Sequence, residues 1–148
     1  MPTMTLCIGL PGSGKSFKAA KLAEKTNAKI FSTDDYWFLN DPTVYAFDFK
    51  KIKEAHRWNQ ERTEREMERG ERDVIIDNTN LTNWERAVYL ALAEEYGYDV
   101  DIAVSDAPWA FDPEECAARN THGVPLSVIE NMLRKMEAPE FYGILENA

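Results

Sequence analysis

A three-layer α/β domain built on a parallel sheet is the fold class this sequence predicts, and three observations predict it. Short apolar runs alternate four times with helix-length amphipathic stretches, the pattern of successive βαβ units. The first apolar run feeds directly into a glycine-rich turn, GLPGSGKS at 9–16, that opens a helix. Carboxylates and amides follow the later runs, at the strand ends where open parallel sheets receive ligands. The 148 residues suit one domain, 1–148, without repeat, linker or low-complexity segment.

Each element has a local reason. Residues 4–9 form a buried first strand, and 16 to about 27 the helix after it. A short second strand covers 28–32. A long helix from about 48 to 69 is stopped by Gly70. Residues 74–76 are a third strand ending at Asp77. Thr82 and Glu85 make a capping box that opens a helix to Tyr96, with Gly97 as its stop. Alternation over 99–104 marks the fourth strand. Asp112-Pro113 then caps and starts another helix, and a last one runs from about 125 to 136. The tail, 138–148, has no firm secondary-structure signal.

Composition narrows the function classes. Hydrophobic residues make up 44% and charged ones 29%, a globular balance. A formal charge of −9 argues against a broad duplex binder but permits one basic cleft for a single strand end. Cys7 and Cys116 belong to no metal-spaced cluster and read as buried free thiols. With no leader and no apolar run of bilayer length, a cytoplasmic protein without membrane contact is expected.

Gly9-x-x-x-x-Gly14-Lys15-Ser16 is a complete Walker A pattern in its required place, after a strand and before a helix. Gly12, Ser13 and Gly14 let backbone N–H groups turn inward on phosphates at a helix N-terminus. Lys15 is assigned to the β- and γ-phosphates, and Ser16 to Mg²⁺. The fold class therefore sharpens to a P-loop NTPase. Three further strand ends carry acids: Asp34 and Asp35, Asp77 with Asn78 and Asn80, and Asp106. A hydroxyl acceptor needs a carboxylate for its proton, and Mg²⁺ needs oxygen ligands, with Asp77 beside Ser16 the candidate pair. Side chains leaving a strand alternate, so Asp34 and Asp35 should not both face the phosphates; either could instead cap the next segment. No suitably placed glutamine and no Asn-Lys-x-Asp motif occur, which disfavours a GTPase switch.

Residues 112–138 read as a helical lid, two helices around Thr121-His122-Gly123. Arg119 ends the first of them, placed either to close on the transferring phosphoryl or to complement the helix C-terminus. His122 reads as a turn residue. Lys50, Lys51, Lys53, His56 and Arg57 form a solvated helix face or the rim of an acceptor groove. Tyr36, Trp37 and Phe38 are core aromatics or a stacking surface for a base.

In order, GLPGSGKS, TDDYW, IIDNTNL, EYGY, SDAPW, and RN followed by VPLSVI give the chain a resemblance to the kinase domain of phage-type 5′-hydroxyl polynucleotide kinases. It is similar as well to the kinase-like domain of certain ubiquitin-ligase-binding proteins. The resemblance implies ATP or another NTP as donor with Mg²⁺. It also implies Asp34 as general base on the acceptor hydroxyl, and Arg119 as a lid arginine on the donor phosphates. The acceptor it implies is the 5′-hydroxyl of DNA or RNA, with Asp35, Trp37, Asn78 and Asn80 on that side. Trp37 stands where the phage enzymes carry a phosphate-holding arginine. Thr121-His122-Gly123 stands where some members have a second lid arginine, and Asp77-Asn78 where some third strands end Ser-Asp. These departures leave two rivals: a kinase for another hydroxyl, such as a hydroxymethylated base, a nucleoside or a small metabolite, and a nucleotide-binding interaction module without turnover.

Overall fold

Four parallel strands in the order β2-β3-β1-β4 make the sheet of the computed structural model, which describes residues 1–137. The strands are β1 (Thr3–Ile8), β2 (Lys29–Phe31), β3 (Val74–Ile76) and β4 (Asp99–Val104). Five helices connect and cover them: α1 (Lys15–Thr26), α2 (Ile52–Arg69), α3 (Asn83–Tyr96), α4 (Pro113–Arg119) and α5 (Leu126–Lys135). The tail, and residue 138 of the expected lid, lie outside the described residues.

β1 and β3 are buried on both faces, and their near-continuous apolar runs follow from that. On one face Met4, Leu6, Val74 and Ile76 meet Met67, Tyr89 and Leu92 from α2 and α3; on the other, Cys7 and Ile75 meet Ala19 of α1. α2 buries Ala55, Asn59, Thr63, Glu66 and Met67, a helical stripe that is partly polar. Its polar members are bonded: Asn59 donates to the Tyr89 hydroxyl at 2.9 Å, and the Thr63 hydroxyl donates to the Asn59 carbonyl at 2.7 Å. The expected stops and starts are in place. Gly70 and Gly97 end their helices at φ 65° and 71°, and both halves of the Thr82–Glu85 capping box form. Asp112 accepts from the N–H groups of Glu114 and Glu115. Cys7 and Cys116 are buried and unpaired, and burial pushes the Cys7 thiol up to about 12.

The difference from expectation lies after β2. Thr33–Phe38 is a 3₁₀ helix capped by the Ser32 hydroxyl, which accepts from the Asp34 N–H at 3.3 Å. A second 3₁₀ turn, Phe49–Lys51, precedes α2, so that helix begins later than the periodicity suggested. Asp34 and Asp35 do diverge, but by rotation about a helix axis rather than by strand alternation.

Candidate active site

The carboxyl ends of β1, β2 and β3 are stitched together by amides that begin where the strands stop. Asn78 Oδ1 accepts from the Thr33 N–H at 2.8 Å, and the Gly9 N–H donates to the Thr79 carbonyl at 3.1 Å. Asn80 takes a positive φ of 46°, which asparagine tolerates, and sends its buried amide to the Cys7 and Ile76 carbonyls at 2.8 and 3.3 Å. Asn80 is thus a brace behind the site rather than a group facing a substrate, and the assignment to the acceptor side is corrected. The reason is local: its left-handed turn points the side chain back into the sheet.

Above these ends lies a cavity of about 810 Å³. Gly12, Gly14, Lys15 and Ser16 line it from the phosphate loop, Asp34 and Trp37 from the 3₁₀ helix, Asn78 from β3's end, and Arg119 with His122 from the lid. Gly12 and Gly14 take φ of 79° and 93°, left-handed conformations that other residues resist. Lys15 Nζ lies 3.3 Å from Asp77 Oδ1, both side chains nearly buried. Ser13 is buried, and its Oγ has no hydrogen-bond partner among the described residues.

The lid packs on the loop rather than hanging free. A Cβ on Gly12 would stand 2.2 Å from the Cys116 carbonyl oxygen, and Trp109 Nε1 donates to the Gly12 carbonyl at 3.1 Å. Gly12→Ala is therefore expected to displace α4. It should lower stability by about 2 kcal/mol or more and weaken nucleotide binding at least ~10-fold, read from a melting curve and a nucleotide titration. Unchanged values in both would refute this packing. Arg119 lies with its guanidinium carbon 3.6 Å from the Trp109 ring centroid and donates from Nε to Glu115 at 3.1 Å. It is therefore held at the cavity wall, half exposed.

Asp34 is half exposed, with Oδ2 3.7 Å from His122 Nε2. The His122 ring lies 4.3 Å from that of Tyr45. Burial, then the Asp34 carboxylate, hold the Tyr45 phenol up at about 12. His56 lines the cavity from α2, its Nδ1 3.3 Å from the Thr33 hydroxyl; desolvation lowers its pKa against the opposing pull of Glu85 and Asp34.

Two other expectations are corrected. Asp35 does not line the cavity; it forms an ion pair with Arg62 at 2.7 Å, because the 3₁₀ rotation turns it toward α2. Asp106 turns away as well, to Lys18 at 3.0 Å. Trp37 is buried, packed edge-on against Tyr36 and Phe47, and forms a wall of the cavity. Of the basic run across the second 3₁₀ turn and the start of α2, His56 lines the cavity whereas Lys50, Lys51, Lys53 and Arg57 do not. Tyr45, Phe47, Thr33 and Trp109 also line the cavity; no periodicity marks Tyr45 or Phe47 for it, whereas Thr33 and Trp109 sit in the TDDYW and SDAPW runs that carry part of the resemblance.

A parallel sheet with a glycine-cradled lysine and serine at its crest defines a P-loop domain of kinase-like fold. Residues 4–139 match the model of a family described as an AAA domain, and the chain belongs to that family. It is 46% identical over 131 residues to human NEDD4-binding protein 2, covering 88% of this chain but 7% of that protein. Among solved structures it resembles a gluconokinase from Sinorhizobium meliloti. The TM-score is 0.62 and the identity 17%, over 95% of this chain and 78% of that one. It also resembles a chain of the Pnkp1/Rnl/Hen1 complex, at TM-score 0.61 and 23% identity, over 80% of this chain and 38% of that one. Among the described residues no helix is long and apolar enough to cross a membrane.

Proposed function

We infer that this chain is an ATP-dependent phosphotransferase whose acceptor is the 5′-hydroxyl of DNA or RNA. The observation that carries the reading is convergence: Lys15, Asp34 and Arg119, distant in sequence, line one cavity. Asp34 takes the proton of the acceptor hydroxyl, whose oxygen attacks the γ-phosphorus. The bond to the β-phosphate oxygen breaks, ADP leaves, and the proton passes from Asp34 to solvent. Lys15 and the N–H groups of the loop hold the phosphates, and Arg119 meets charge on the transferring group after release from Glu115.

No group of three or more His, Cys, Asp or Glu side chains that could hold a metal occurs among the described residues. Mg²⁺ keeps most of its water and phosphate ligands, so few protein donors are needed: Ser16 lines the cavity and would hold the ion, whereas Asp77 lies outside that lining, paired with Lys15 at 3.3 Å, and would join only on leaving that pair. When bound, the ion supplies charge neutralisation on the β- and γ-oxygens.

The test is transfer of label from γ-labelled ATP to 5′-OH oligonucleotides, modified duplexes and nucleosides. Label on the 5′-end supports the reading. Label only on an internal modified base or a metabolite replaces it with the rival kinase. Nucleotide binding with no transfer to any acceptor points to an interaction module.

A further inference from the structure

Asp34 differs from its neighbour in how its carboxylate is held. Asp35 is fixed by Arg62 at 2.7 Å, whereas among the described residues no hydrogen bond reaches the Asp34 carboxylate. The basic side chain within 4 Å of it is that of His122, with Nε2 3.7 Å from Oδ2. A general base works only from a narrow range of positions, and a half-exposed aspartate is free to turn about its side-chain bonds.

His122 is held more firmly. The turn that carries it, residues 120–124, is closed by Asn120. The Asn120 amide donates to the Ala117 and Val124 carbonyls at 2.9 and 3.1 Å, and its Oδ1 accepts from the Val124 N–H at 2.8 Å. Gly123 completes the turn at φ 69°. The imidazole packs on the Tyr45 ring at 4.3 Å, and the Tyr45 segment is tied to Trp37 through the Ala46 N–H. The two ring nitrogens meet different surroundings. Nδ1 is buried without a hydrogen-bond partner among the described residues, while Nε2 faces the carboxylate. In the neutral ring one nitrogen carries the proton, and only at Nε2 does that proton find an acceptor.

Resting on the phosphotransferase reading above, we propose that His122 is the positioning residue of Asp34: its Nε2–H holds Oδ2, so that Oδ1 takes the acceptor's proton. The gap of 3.7 Å becomes a hydrogen bond with a movement of under ~1 Å, the tightening that catalytic contacts undergo when a site fills. His122 keeps its own proton and touches no reacting atom. Its turn leaves the helix end whose Cys116 carbonyl and Asn120 N–H abut Gly12, so the lid that packs on the phosphate loop also aligns the base.

Transfer from ATP to a 5′-hydroxyl oligonucleotide tests the kinetic part. His122→Leu, which fills the space without an N–H, should lower kcat ~10-fold or more and leave the KM for ATP unchanged. His122→Gln, whose amide offers an N–H at similar reach, should recover most of that loss. In the Asp34→Asn background His122→Leu should cost under ~2-fold more, because a lost base needs no alignment; a role in lid stability would cost the same in both backgrounds. The ring ¹⁵N resonances give a readout independent of turnover. The chain has two histidines, so His122 is assigned by comparison with His56→Gln. In the neutral ring the proton should sit on Nε2, and the Nε2 resonance should move in Asp34→Ala. A proton on Nδ1, an Nε2 resonance indifferent to Asp34→Ala, or a loss from His122→Leu that is absent or equal in both backgrounds overturns the proposal, in variants that melt normally. If no acceptor takes the label, the phosphotransferase reading falls, and the ring resonances still decide whether His122 holds Asp34.

Discussion

Replacing Lys15 by alanine is expected to abolish phosphoryl transfer while leaving the protein folded. The ammonium is the loop's one side-chain cation in the cavity, and loss of a preorganised charge on a transferring group costs ~10²–10³ or more in kcat. Its role in the unliganded fold is small by comparison. It makes one ion pair, with Asp77 at 3.3 Å, and takes no part in the apolar clusters that hold the sheet. The substitution does leave a nearly buried carboxylate without its cation, so some loss of melting temperature is expected. The double variant Lys15→Ala/Asp77→Asn should recover stability, which assigns the lost melting temperature to the unpaired carboxylate; the loss of transfer is read from Lys15→Ala alone, because Asp77 is also assigned to Mg²⁺. Most activity surviving in a folded Lys15→Ala protein would remove the phosphate loop from the mechanism.

How much was legible in the sequence follows from how local each signal is. GLPGSGKS, the Thr82–Glu85 box, the Asp112-Pro113 start and the stops at Gly70 and Gly97 are each decided within a few residues, and all stand where the sequence placed them. The strand ends are different. That Asp34 faces the cavity while Asp35 turns away depends on a 3₁₀ helix and on Arg62, 27 residues later, which also bonds the Ser32 carbonyl. Asn80 looks like a site residue in the run IIDNTNL, yet its partners are the Cys7 and Ile76 carbonyls inside the sheet. Tyr45 and Phe47 lie in a stretch without periodicity. It is pinned by the Ala46 N–H donating to the Trp37 carbonyl at 2.9 Å, and Tyr45 meets His122 of the lid. The phosphate-loop side of the cavity is a motif; the side around Asp34 is a set of long-range contacts, and no local pattern records those.

Asp34→Asn is expected to lower kcat by ~10²–10⁴, the usual contribution of a positioned base, with nucleotide affinity little changed. The amide matches the carboxylate in size and keeps an oxygen toward His122, so the lid contact at 3.7 Å is not opened by loss of volume. What it lacks is a lone pair basic enough to take the acceptor's proton. Asp35→Asn provides the contrast within one turn of chain. Asp35 is about half exposed and spends its charge on Arg62, so its loss should cost under ~1 kcal/mol of stability and leave kcat within a few-fold. Chemistry should be measured in single turnover at saturating ATP and acceptor, so that neither binding nor product release masks the step. If Asp35→Asn were the crippling change and Asp34→Asn mild, the 3₁₀ helix would have to rotate in the working enzyme. Asp35 would then have to leave Arg62 for the cavity, and the cation over Trp58, now 4.0 Å from the ring centroid, would be the group to watch for movement.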